Sequence, residues 1–163
     1  MDASAPQLFV ALEQSGLGAA IRQAKWIYPA ANVGHIVGLV LYTSAVAVLD
    51  LRLLGAFAAT RPADIVPRAR RAAMAAFGVM AATGVLLFTA EASHLVLNPV
   101  FQTKAALIAV ALVNALVMGR IAEREAELMP AHVPFPAPVR LAALASLALW
   151  ITVAAAGRLI AYV

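Results

Sequence analysis

Four long apolar stretches, at about residues 31–51, 73–95, 104–120 and 140–160, constrain this chain more than any other feature of its sequence. A helix needs roughly 20 apolar residues to cross a hydrocarbon layer about 30 Å thick, and each stretch has about that length. Of the 163 residues, 64% are hydrophobic and 12% are charged, far from the composition of a soluble domain. The sequence therefore predicts an all-α integral membrane protein that forms a four-helix antiparallel bundle.

The segment before the first span, at about residues 5–28, has apolar residues at helical spacing that Gly16 and Gly18 interrupt. This pattern predicts a short interfacial helix, or two, on the membrane surface. Asn98-Pro99 is a turn signal, so spans two and three should form a tight hairpin. No change in composition marks a second domain, and residues 1–163 are predicted to form a single transmembrane domain.

The basic residues are distributed unevenly between the connections. Eight of the twelve lie between spans one and two or between spans three and four: Arg52, Arg61, Arg68, Arg70, Arg71, Arg120, Arg124 and Arg140. Because basic loops stay in the cytoplasm, both termini are predicted to be periplasmic in a bacterial inner membrane. Basic residues do not alternate with aromatic ones in a stripe, so the expected partner is the lipid bilayer and not a nucleic acid.

Ionisable residues gather at the predicted periplasmic ends of the spans. His35 lies about one turn inside the first span, and Glu91 and His94 follow Thr83 at helical spacing in the second. Charged groups within a membrane are costly and usually functional. If the helical seams face inward, six residues could meet: His35, Tyr42, Glu91, His94, Lys104 and Arg158.

Two histidines on different helices of a bundle are the minimal axial ligand set for haem b. His35 is the first candidate ligand and His94 the second, while Lys104 and Arg158 would pair with the haem propionates. The sequence thus predicts a haem b-binding membrane protein that transfers electrons near the periplasmic face. If it is an enzyme, it would be a haem-dependent membrane oxidoreductase.

The same residues are compatible with two other functions. His35, His94 and Glu91 could hold copper in a transport or handling protein that acts with a periplasmic carrier, although no path of methionines accompanies them. The chain could also be an accessory subunit of a larger respiratory or photosynthetic membrane complex. Glycines at positions 34, 38 and 84 favour close helix packing, with room for a flat cofactor as the alternative.

Several short strings resemble an uncharacterised family of small four-helix bacterial inner-membrane proteins. They are Trp26-x-Tyr28-Pro29, His35-Ile36-Val37-Gly38, Asp50-Leu51-Arg52-Leu53-Leu54-Gly55, Asn98-Pro99-x-Phe101-x-x-Lys104 and Gly157-Arg158-Leu159-Ile160-Ala161-Tyr162. This resemblance covers nearly the whole chain and implies its fold. More remotely, His35 in the first helix with Lys104 opening the third is similar to the copper-resistance D membrane domain and the haem-containing membrane protoporphyrinogen oxidase. That similarity implies His35 as a ligand and Lys104 as its partner, with no counterpart for His94.

Overall fold

The computed structural model describes residues 4–159, which form seven helices. They are α1 (Gln7–Gln14), α2 (Gly16–Gln23), α3 (Ile27–Leu54), α4 (Pro62–Ala90), α5 (Ala92–Leu95), α6 (Pro99–Leu128) and α7 (Ala137–Leu159). Helices α3, α4, α6 and α7 are each long and apolar enough to cross a membrane. The predicted all-α membrane bundle is confirmed, with α1 and α2 as its two short leading helices.

The outer surface of the bundle is apolar. Val40, Val113 and Ile151 expose 58%, 62% and 68% of their surface, although each lies within a spanning helix. A soluble monomer rarely shows so extended an apolar surface, whereas lipid tails cover it without cost. The core is smaller and contains Tyr42 and Trp150 among alanine and valine side chains.

The helix boundaries differ from the predicted spans, most of all in α4. This helix begins at Pro62 rather than near residue 73, and it ends at Ala90 rather than at 95. The early end falls at Glu91, whose backbone (φ −138°, ψ 29°) is not helical. Helix α6 continues to Leu128, past the predicted residue 120, because hydropathy marks only the apolar part of a helix. Residue 160, the last of the predicted fourth span, lies outside the described residues.

Helices α1 and α2 pack against one end of the bundle, here called the terminal end, where α3 and α6 begin and α4 finishes. The ring of Phe9 meets that of Phe88 edge to face at 6.0 Å. Arg22 donates from Nη1 to the carbonyl oxygens of Glu13 (2.7 Å) and Ala90 (3.1 Å), so one side chain satisfies a free carbonyl at the end of α4. The leading helices are thus fixed to the bundle by packing and by hydrogen bonds.

At the opposite end, Arg52 joins two connections. This arginine is only 1% exposed, donates to the Thr60 carbonyl at 3.1 Å and lies 5.8 Å from the ring centre of Phe135. The His132 amide donates to the Ala58 carbonyl at 2.8 Å, while its side chain is exposed. Arg52 therefore links the connections at residues 55–61 and 129–136 from a buried position, in addition to being one of the basic residues that follow the first span.

We expect acid to loosen α1 from α5. Glu13 accepts hydrogen bonds from the side chain (2.6 Å) and the amide (2.8 Å) of Ser93. These bonds lower the pKa of the Glu13 carboxyl, as do the charges of Arg22 and His94 to a smaller extent. Because the folded-state pKa is lowered, the contribution to stability is complete above the ordinary glutamate pKa of about 4.3 and is lost as pH falls through the lowered value.

Hydrogen exchange of the α1 amides, corrected for the intrinsic pH dependence, measures this loosening. Protection should fall in acid for the natural chain and stay level for Glu13→Gln, which has no charge to lose. An equal fall in both proteins would contradict the role of Glu13.

Candidate functional site

His35 lies inside the terminal half of the bundle and bonds to the neighbouring helix α4. Its Nδ1 atom is 3.1 Å from the carbonyl oxygen of Met80 and 3.1 Å from the hydroxyl oxygen of Thr83. The Thr83 hydroxyl donates to its own helix, at 2.8 Å from the Val79 carbonyl. With Nδ1 protonated, the ring donates to α4, and the lone pair is then on Nε2.

Glycines make room for the side chains of both His35 and Lys104. A Cβ atom added at Gly84 would lie 3.2 Å from Cε1 of His35, so the imidazole packs directly against the α4 backbone. A Cβ at Gly157 of α7 would likewise lie 3.2 Å from Nζ of Lys104. The structure thus places His35 and Lys104 in the same half of the bundle, each against a glycine of a neighbouring helix.

Gly34 and Gly38 serve close packing of α3 against α4. A Cβ at Gly34 would lie 3.2 Å from the methyl carbon of Thr83. One at Gly38 would lie 3.0 Å from the Met80 side chain and 3.4 Å from the Met80 backbone nitrogen. The packing interpretation of these two glycines is confirmed, and it is this close approach that places the Met80 carbonyl within reach of His35.

Glu91 and His94 lie elsewhere, and the prediction that they share a helix face with Thr83 is wrong. Helix α4 ends before Glu91, so the spacing of four and three residues does not carry over to α5. Glu91 is exposed and accepts a hydrogen bond from the Tyr28 hydroxyl at 3.1 Å. His94 is exposed on α5, where its charge acts on Glu13. Within residues 4–159, no three His, Cys, Asp or Glu side chains are grouped so that they could hold a metal ion.

Tyr42 and Arg158, the remaining members of the predicted set, are also separated from one another. Tyr42 is 4% exposed and belongs to the core, with ring centres at 4.7 Å from Trp150 and 5.6 Å from Phe77. Arg158 is exposed near the end of α7, at the same end of the bundle as Lys104. His35 and Lys104 both lie between helices of the terminal half.

Sequence reasoning missed a second polar group in the other half of the bundle. Asp50, Ser146 and Trp150 are only 4%, 6% and 6% exposed. Asp50 precedes the last residue of α3 by a full turn and so lies within the spanning helix. Ser146 and Trp150 are four residues apart and share a face of α7. The sequence signal for this group is that Asp50 and Ser146 are polar residues within otherwise apolar stretches.

Fold and site together define a small helical membrane protein with four spanning helices and a histidine and a lysine between them in one half of the bundle. The chain belongs to a family of unknown function, DUF6644, whose model matches residues 9–163. No curated protein and no solved structure matches it. The predicted membership of an uncharacterised family is confirmed, and the match gives no support to the more remote resemblance to the copper-resistance D domain or protoporphyrinogen oxidase.

Proposed function

We propose that this protein binds haem b in the terminal half of the bundle and transfers electrons there, with His35 as the axial ligand. The observation that carries this proposal is the 3.1 Å contact between His35 Nδ1 and the Met80 carbonyl oxygen. Histidines that bind metals usually donate their other ring N–H to a carbonyl or carboxylate, which fixes the tautomer and makes the free nitrogen more basic. With Nδ1 as the donor, His35 has this arrangement, and Nε2 would be the atom that binds the iron.

Lys104 and Arg158 fit the second requirement of a haem, which is positive charge for two propionates. Lys104 faces the interior beside Gly157, and Arg158 is the next residue along α7. His94 does not fit as the second axial ligand because it is exposed on α5. The proposal therefore keeps one histidine ligand and drops the bis-histidine pair. When bound, haem would supply a one-electron redox centre, while the chain's own residues hold and orient it.

The same proposal places the terminal end at the periplasmic face of a bacterial inner membrane. Its support is the position of eight of the twelve basic residues, which lie in or beside the connections at the opposite end. A redox centre near the periplasmic face would exchange electrons with a periplasmic carrier or with a larger membrane complex.

A copper site formed by His35, His94 and Glu91 is less well supported. His35 bonds into α4, whereas His94 and Glu91 are exposed near α5. These three side chains do not form a metal-binding group in the described residues. A role as an accessory subunit of a complex rests on no contact in the structure and stays a prediction.

An optical spectrum tests the haem proposal. The protein would be expressed with a haem supply, purified in detergent and measured before and after addition of dithionite. We expect a Soret band that shifts on reduction, together with resolved bands in the visible region. Purified, folded protein without a Soret band, and with no uptake of added haem, would contradict the proposal.

A further inference from the structure

A cavity of about 310 Å³ lies in the half of the bundle away from His35, and all four long helices line it. It is much larger than the roughly 30 Å³ share of one water molecule and is within the range of small-molecule sites. Its wall is mostly apolar and includes three aromatic rings, those of Tyr42, Phe77 and Trp150. The ring of Tyr42 packs against both of the others. Such a wall suits a flat, apolar occupant.

Two polar atoms on residues that line this cavity have no hydrogen-bond partner. They are Oδ2 of Asp50 and Nε1 of Trp150, both fully buried on residues that are 4% and 6% exposed. The Ser146 hydroxyl lies beside the Asp50 carboxylate and leaves this oxygen unsatisfied. Nearly all buried polar atoms in folded proteins are paired, so an acceptor and a donor without partners beside the same cavity are candidates for binding a polar ligand.

The two open atoms are offset along the bundle. Asp50 lies beside Ser146, and Trp150 follows Ser146 by one turn, about 6 Å along the axis of α7. A ring with a hydroxyl at one end and an oxygen acceptor at the other would satisfy both atoms. A hydrophobic cation would satisfy the carboxylate alone and leave the Trp150 N–H unpaired.

The cavity also reaches the lipid-facing surface. Met74 of α4 and Leu116 of α6 line it, and they expose 49% and 47% of their surface on the outside of the bundle. The opening therefore lies between α4 and α6, on a side of the bundle that the bilayer covers. A lipid-soluble molecule could enter the cavity from the membrane while its apolar tail stays in the bilayer.

We propose that this cavity binds the headgroup of a lipid-soluble quinol. One hydroxyl donates to Oδ2 of Asp50, the oxygen across the ring accepts from Nε1 of Trp150, and the tail leaves between Met74 and Leu116. The proposal concerns binding and shares no residue with the haem site, so either can fail without the other.

Tryptophan fluorescence tests the site, because the chain has two tryptophans and only Trp150 lines the cavity. Trp26 is 73% exposed, and Trp26→Phe leaves Trp150 as the single reporter. This protein in detergent would be titrated with a decyl-substituted benzoquinol and with its oxidised form. We expect saturable quenching of Trp150. The reciprocal variant Trp150→Phe, which reports from Trp26, should show only the weak linear quenching of a probe dissolved in the micelle.

Asp50 is then varied in the Trp26→Phe protein. Asp50→Leu removes the acceptor without adding a buried charge and should weaken quinol binding at least tenfold. Asp50→Asn keeps an acceptor oxygen and should recover part of the affinity. Three results would overturn the proposal: quenching that never saturates, equal affinity in Asp50→Leu, or saturable binding of a lipophilic amine with none of the quinol.

Discussion

Replacing Trp150 by alanine is expected to destabilise the bundle by about 3 kcal/mol. Trp150 is 6% exposed and packs edge to face on Tyr42 within a cluster that includes Val46, Ala73 and Val153. Truncation of a buried aromatic side chain costs about 3 to 5 kcal/mol in soluble proteins. The lower value applies here because the unfolded helices would lie in lipid rather than in water, so the transfer contribution is smaller and lost packing dominates.

Ile151 provides a matched control on the next position of the same helix. It is 68% exposed on the lipid-facing side, and Ile151→Ala should change the stability by less than about 0.5 kcal/mol. Unfolding of both variants in detergent micelles, followed by circular dichroism, gives the comparison. Similar losses in the two variants would show that Trp150 does not belong to the packed core.

Replacing His35 by alanine is expected to abolish haem binding, whereas His94→Ala should leave it unchanged. The structure gives the physical reason: His35 is held inside the bundle by the Met80 carbonyl, and His94 is exposed on a separate short helix. The two variants remove the same side chain and differ only in its position. The Soret absorbance per mole of purified protein, together with the elution volume as a check of folding, measures the effect.

The opposite result for the two histidine variants would show that haem binds at a different place. If His94→Ala removed the Soret band and His35→Ala kept it, the iron would lie at α5, and the interior histidine would serve only to pack α3 against α4. Loss of the band in both variants would restore the bis-histidine site that the sequence predicted.

The spanning helices could be predicted from the sequence because hydropathy over about 20 residues is a strong, local signal. Their ends could not, since α4 and α6 continue through charged segments as far as Pro62 and Leu128, and α4 stops at Glu91, whose backbone is not helical. That one early stop changed the candidate site. It removed Glu91 and His94 from the face of α4 on which their helical spacing had placed them.

The interior site was only partly predictable for a related reason. Depth in the membrane follows from counting residues, and it correctly placed His35 and Lys104 in the same half of the bundle. Which residues face each other depends on helix rotation, which small residues such as Gly84 and Gly157 permit by close contact. Asp50 shows the same limit, because only the packing of α7 against α3 reveals that it is buried beside Ser146.

Rescue of a His35→Gly variant by free imidazole tests the proposed ligand role most directly. This substitution leaves space where the ring was, and added imidazole can supply a nitrogen ligand that is no longer attached to the chain. If His35 is the ligand, the variant alone has no Soret band and imidazole restores it saturably. A variant that binds haem with the natural spectrum in the absence of imidazole would contradict the assignment of His35.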